Sequence, residues 1–262
     1  HCHTAGSMRF NEDLGTLEFY TGDEWKTVNS YSRGNAAGRA VIACGNTPNN
    51  PNGSDDIGYL NISSLGNAIN FGQLTEARFL FSRASSETRG LFAGGDPGPS
   101  KSETIDYITI ANDFGDLSAP GAPGSKGTAT SSPTRYIHYS GSNSPAERID
   151  FGNIASKGNS VRFGNHVLGG PSHQALRQNR ACSNSTRAVF GGGYIDISPY
   201  GTVQSLLATI TMASEGNAIA FGDLTIPRYG TNATSNQVRG VFAGGGGGNP
   251  YPFFNVIDYI IF

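Results

Sequence analysis

Charge is scarce in this chain: Asp, Glu, Lys and Arg make up 15% of its 262 residues, against about 25% in an average soluble domain. The formal net charge is -2 and no Lys/Arg cluster occurs, which removes the electrostatic route to DNA, RNA or an anionic lipid surface. No apolar run approaches the roughly 18 residues of a spanning helix, and the front carries no charged-then-apolar segment of the signal-peptide kind, so a soluble chain without membrane insertion is expected. Cys2, Cys44 and Cys182 form an odd, widely spaced set that argues against a disulfide framework, although one bridge stays open. Sustained 3.6-residue periodicity is also lacking, and Gly or Pro interrupts nearly every window of helical length, so almost no helix is expected. The chain opens at His1, the expectation for a processed product or part of a longer polypeptide.

Glycine is abundant, with 37 residues, about twice the usual share of roughly 7%. Much of it sits in a segment that recurs five times: Arg39-Ala-Val-Ile-Ala-Cys-Gly45, Arg89-Gly-Leu-Phe-Ala-Gly-Gly95, Arg135-Tyr-Ile-His-Tyr-Ser-Gly141, Arg187-Ala-Val-Phe-Gly-Gly-Gly193 and Arg239-Gly-Val-Phe-Ala-Gly-Gly245. The leading arginines are 50, 46, 52 and 52 residues apart. Downstream lie short segments with β-branched and aromatic residues at period two, such as Ile57-Gly-Tyr-Leu-Asn-Ile62, Ile105-Asp-Tyr-Ile-Thr-Ile110 and Ile257-Asp-Tyr-Ile-Ile261, which read as strands. A third element with a shared Phe-Gly follows in four copies, at Phe71, Phe114, Phe163 and Phe221, and suggests a buried ring beside a tight backbone turn. A fourth stretch, such as Phe79-Leu-Phe-Ser-Arg-Ala84, closes each unit before the next arginine.

Four short strands in about 50 residues, repeated five times, predict an all-β fold: a five-bladed β-propeller of four-stranded blades. The last copy stops at Phe262 with two strands made, which would leave sheet edges exposed. Thr16-Leu-Glu-Phe-Tyr20 and Trp25-Lys-Thr-Val28 read as a hairpin that would complete that blade and close the ring. The expected division is an N-terminal arm and hairpin over 1–30 and a five-repeat propeller over 31–262.

The Gly-Gly doublets ending an apolar strand, with a tyrosine 12 to 14 residues later in the second and fifth copies, resemble Kelch repeats, although the family's following tryptophan is absent. Thr88-Arg89-Gly90 to Gly95, Ile105 to Ile110, and Phe221-Gly-Asp-Leu-Thr225 to Arg228 also resemble repeats of bacteriophage virion proteins, marine phages especially. Gly6-Ser-Met-Arg-Phe-Asn11 followed by Leu14-Gly-Thr-Leu-Glu-Phe-Tyr-Thr-Gly-Asp-Glu-Trp25 is similar to a segment of phage tail fibres. Together these resemblances imply a non-catalytic structural component on the virion surface. Its partners would be other virion proteins or a host-surface glycan or receptor; a secreted lectin-like propeller is the alternative.

Candidate chemistry is thin, and no catalytic residue, cofactor or metal site is expected. The repeated arginines Arg39, Arg89, Arg135, Arg187 and Arg239 could form a ring for a carboxylate or acidic sugar. Recurrence in every unit favours a structural task, with Asp106, Asp150 and Asp258 of the Ile-Asp-aromatic strands as plausible partners. His138, His166 and His173, near Glu147 and Asp150, make a hydrolytic site conceivable, but packed or surface histidines are the stronger reading. His1, Cys2 and His3 have metal-ligand chemistry at a free terminus, where adventitious binding is the most expected. Asp55 and Asp56, with the asparagines of 46–53, lack the order of a calcium loop. No nucleophile elbow, phosphate loop or zinc-binding His-Glu-x-x-His helix occurs. Long polar loops at 46–56, 94–102, 119–132 and 245–253 are where binding would be expected.

Overall fold

A computed structural model describes residues 4–12, 16–28, 39–43, 45–46, 50–51, 53–62, 66–86, 89–96, 101–105, 112–117, 127–141, 148–168, 176–195, 201–248, 250 and 252–262. Among them every regular element is a strand, and the strands form seven separate antiparallel sheets. The chain divides into two compact units, residues 1–37 and 38–262.

The first unit is a meander of β1 (Met8–Asn11), β2 (Thr16–Tyr20) and β3 (Trp25–Thr27). Pairing sets Met8 opposite Phe19 and Phe10 opposite Leu17, so these four share one exposed apolar face. Glu18 turns to the other face, where it accepts a 2.8 Å hydrogen bond from Arg9, and Arg9 lies over the Trp25 ring.

The second unit contains five repeat sheets. Sheet 1 is β4 (Arg39–Ala43), β5 (Ser54–Asn61) and β6 (Ile69–Arg78). Sheet 2 is β7 (Ser82–Ser85), β8 (Gly90–Ala93), β9 (Lys101–Ile105) and β10 (Asn112–Asp116). Sheet 3 is β11 (Thr128–Ser131), β12 (Arg135–Tyr139), β13 (Arg148–Asn153) and β14 (Val161–Asn165). A two-residue strand β15 (Leu176–Arg177) precedes sheet 4, whose β16 (Arg180–Ser183) and β17 (Arg187–Gly191) are followed by β18 (Tyr194–Ile195) and β19 (Thr202–Val203). Sheet 4 then continues through β20 (Leu206–Thr211) and β21 (Ile219–Asp223), while β15, β18 and β19 form a small sheet of their own. Sheet 5 is β22 (Asn232–Ser235), β23 (Arg239–Ala243) and β24 (Ile257–Ile261).

The glycine doublets have a backbone cause. In Gly94-Gly95, Gly192-Gly193 and Gly244-Gly245 the φ angles run from 62° to 119°, the left-handed region that a side chain disfavours. They turn the chain out of the second strand. At each Phe-Gly the register slips by a bulge, as between Ile57 and Gly58 or between Leu207 and Ala208. Phe71, Phe114 and Phe163 are buried beside these bulges.

Alternation sends successive side chains of each strand to opposite neighbours. Leu91 faces sheet 3 in a core with Tyr136 and Ile154, while Phe92 faces sheet 1 in a core with Ile57 and Phe71. The same division recurs further on, with Ile137, Ile149 and Phe190 between sheets 3 and 4, and Val189, Leu207 and Phe242 between sheets 4 and 5. The cores thus join each sheet to the next in chain order.

The expected Kelch-like five-bladed propeller is not what these strands build. Strand-ladder pairing runs only within each sheet, and among the described residues no core cluster joins sheet 5 to sheet 1. The proposed closure fails at the strand level. β24 pairs with β23 alone, whereas β2 is bonded to β1 on one side and β3 on the other, so the hairpin belongs to a three-stranded sheet of its own. The stretch assigned to the end of each unit is also placed differently. Leu80, at φ 55°, breaks it, and Ser82–Ser85 opens sheet 2 instead of finishing sheet 1.

Candidate functional site

The first strands of sheets 2 to 5 lie side by side, and side chains join them. The Ser131 hydroxyl accepts from the Ser85 N–H (3.1 Å) and donates to the Ser85 carbonyl (2.6 Å). Ser235 repeats this on Ser183 (3.2 and 2.6 Å), and the Ser183 hydroxyl donates to the Ser131 carbonyl (2.8 Å). Each serine therefore replaces a missing backbone ladder with a side-chain clasp. The signal was present in the sequence, since Ser85, Ser131, Ser183 and Ser235 are 46, 52 and 52 residues apart, but single serines do not stand out as repeat marks.

These four strands wall a cavity of about 350 Å³. Its lining is mostly short hydroxyl and methyl side chains, joined by Phe81, Cys182 and Asn232; its charged residues are Arg83 and Arg180, and it contains no carboxylate. The strand registers make Ser82, Thr128, Arg180 and Asn232 equivalent, and likewise Arg83, Ala129, Ala181 and Ala233. Both arginines thus interrupt positions that are small and neutral in the other sheets. Arg180 donates to the Asn179 carbonyl at 2.8 Å. Burial holds its pKa below the ordinary value, and the nearby charge of Arg83 pushes in the same direction. Arginine remains charged even so, and two guanidinium groups share a space without a counter-charge on its walls.

The arginines that recur in every unit lie elsewhere. Arg39, Arg89, Arg135, Arg187 and Arg239 each lie over an aromatic ring, respectively Tyr59, Phe114, Phe151, Phe221 and Tyr259, at 4.7 to 5.9 Å from the centroid. Arg89 also donates to the Ile154 carbonyl of sheet 3 (2.9 Å), and Arg135 to the Met212 and Ala213 carbonyls beyond β20 of sheet 4 (both 3.1 Å). Arg89 and Arg135 thus brace their sheets against the following ones.

The aspartates meet other cations. Asp150 accepts from Arg148 at 2.6 Å. Asp258 pairs at 2.8 Å with Arg228, whose side chain is fully buried, and accepts from the Thr225 hydroxyl and N–H at 2.7 and 3.0 Å. Partial burial of Asp258 pushes its pKa up, but the Thr225 and Arg228 hydrogen bonds and the Arg228 charge outweigh this and hold it below the usual range. Asp106 lies outside the described residues, as do Cys2, Cys44, His1, His3, His173 and Glu147.

His138 sits opposite Asp150 on neighbouring strands, fully buried, with neither ring nitrogen hydrogen-bonded. Desolvation lowers its pKa to about 4, against a smaller upward pull from Asp150. His166, wedged between Tyr139 and Phe190, is likewise lowered to about 4 by burial. Both are neutral, enclosed rings that pack as core. Among the described residues no three His, Cys, Asp or Glu side chains gather closely enough to hold a metal ion.

No protein-family model matches the chain, and no curated protein matches it either. The resemblances to Kelch repeats and to phage virion and tail-fibre repeats are therefore corrected along with the closed ring. The roles drawn from them, a virion structural protein, host attachment and lectin-like glycan binding, lose both scaffold and kinship.

Proposed function

We propose that this chain is a non-catalytic binding module whose cavity between sheets 2 and 5 takes a small oxyanion such as sulfate, phosphate or a carboxylate. One observation carries the reading: Arg83 and Arg180 both replace the small neutral residue of their repeat position, and both open into the same carboxylate-free, hydroxyl-lined cavity. A residue kept in every repeat serves the repeat; two departures that converge on one space serve something else. The desolvated Arg180 beside Arg83 carries an electrostatic cost that a bound anion would relieve, and guanidinium forks recognise planar and tetrahedral oxyanions through paired N–H groups. The serine and threonine hydroxyls on the walls supply further donors without adding charge.

Calorimetric titration of the full chain with sulfate, phosphate and acetate at low ionic strength tests this. Saturable binding is expected. Arg180→Ser or Arg83→Ala, which restore residues found at the equivalent positions, should weaken it by about tenfold or more, the value of one charge-assisted hydrogen bond. Absence of heat with all three anions, or equal affinity in the two variants, refutes the assignment.

A further inference from the structure

The stack of repeat sheets has two unlike ends, and each is half of an interface that the chain makes internally. On the side that faces the next sheet, sheets 1, 3 and 4 each pack a third-strand residue into the core formed with that sheet. Ile57, Ile149 and Leu207 hold this position at 1%, 0% and 4% exposure, sharing cores with Phe92, Phe190 and Phe242 of the following sheets. The strand registers place Ile257 of sheet 5 at the same position, opposite Ala43-equivalent Ala243, yet it is 69% exposed, and Tyr259 beside it is 63% exposed.

The opposite end is open in the complementary way. Phe92, His138, Phe190 and Phe242 occupy the second-strand position that faces the preceding sheet, and none exceeds 5% exposure. Ile42 is their counterpart in sheet 1 and is 47% exposed. These exposures are specific to the ends. Ile69, Val161 and Ile219, at equivalent fourth-strand positions, are exposed in sheets 1, 3 and 4 alike, so solvent contact there is ordinary for the repeat.

We propose that two copies of this chain associate head to tail, the Ile257 face of sheet 5 in one copy docking on the Ile42 face of sheet 1 in the other. The occupant follows from continuity: each face is one side of an interface already made between consecutive sheets, so a second copy supplies the missing side in the same chemistry. The contact is heterologous and leaves one further head and one further tail free, so it propagates. Stacked repeat proteins need their terminal faces covered for the same reason.

Light scattering after size-exclusion chromatography of the full chain, over low to high micromolar concentrations, reads the outcome. Average mass should rise with concentration to at least twice that of one chain. Ile42→Asp and Ile257→Asp should each abolish the rise, while Ile69→Asp should leave it unchanged. Both end positions are exposed, so circular dichroism should show an intact fold. An equimolar mixture of Ile42→Asp and Ile257→Asp should return a species of twice the mass and no larger, because only one intact head and one intact tail remain per pair. Three results overturn the proposal: a chain that stays monomeric throughout, self-association that survives in either end variant alone, or a mixture that does not combine. The first would mean that the end faces are covered within one chain or by an unrelated partner.

Discussion

Asp258→Asn tests whether the clasp between sheets 4 and 5 is energetically real. The substitution keeps the size of the side chain and removes the charge facing Arg228, whose guanidinium is fully buried. Removing one member of a buried pair costs about 3–5 kcal/mol, because the remaining charge is left in a poor dielectric. Arg228 keeps two carbonyl acceptors, Ile226 and Phe242, both at 3.3 Å, and the Asp258 side chain is 12% exposed, so water can partly compensate. The lower end, about 3 kcal/mol, is therefore the expected loss. With a urea dependence of roughly 2–3 kcal/mol/M, the unfolding midpoint should drop by about 1–1.5 M. The native protein should also lose this contribution as pH falls. A carboxyl whose folded pKa lies below its ordinary 3.8 stabilises fully above that value and ceases to do so as pH passes down through the folded pKa, a dependence that Asp258→Asn should lack. Replacing both partners, Arg228→Met with Asp258→Leu, should recover most of the loss. A cost below about 1 kcal/mol in urea titrations of Asp258→Asn, the value of an exposed pair, would refute the reasoning.

Acid sensitivity should appear earlier for another reason. His138 and His166 bind protons only near pH 4 when folded but near 6.5 when unfolded, so between those values stability should fall with pH, by up to about 1.4 kcal/mol per unit for each. His138→Phe, the residue at the same position in sheets 2, 4 and 5, should remove one share of that slope and raise stability at neutral pH by about 1 kcal/mol, measured by urea unfolding at several pH values. The Cys182 thiol, buried and pushed up to about 12 by desolvation, should resist a disulfide reagent at pH 8 until denaturant is added; rapid labelling of the folded chain would contradict its burial.

Local order was legible because it depends on local chemistry. Period-two segments such as Ile257–Ile261 are strands with the bounds read from sequence, and the glycine doublets turn the chain where left-handed φ is required. Joining the strands into sheets was harder. Phe79 to Ala84 alternates well enough for one strand, yet Leu80 splits it and the remainder starts the following sheet, a choice set by long-range packing of Ala84 against Leu91 and Ala129. Closure by the hairpin fails for a similar reason. A two-stranded hairpin with a free edge fits an unfinished sheet, but Met8–Asn11 already fills that edge, and its four residues carry too little pattern to be seen as a strand. The arginines that recur do not mark the candidate cavity. Arg83 and Arg180 are informative for the opposite reason, and recognising them needed the strand register that makes their repeat positions comparable.

The serine clasps have a consequence for how such a chain can change in length. Because the Ser85–Ser131 and Ser183–Ser235 junctions each use one hydroxyl that both accepts from and donates to the neighbouring backbone, the units at these joints meet the same chemistry at different places in the series. Inserting or excising a whole segment of about fifty residues would therefore recreate a satisfied joint and leave no orphaned amide at the seam. Duplication by complete modules is chemically neutral here, whereas the loss of part of a module is not.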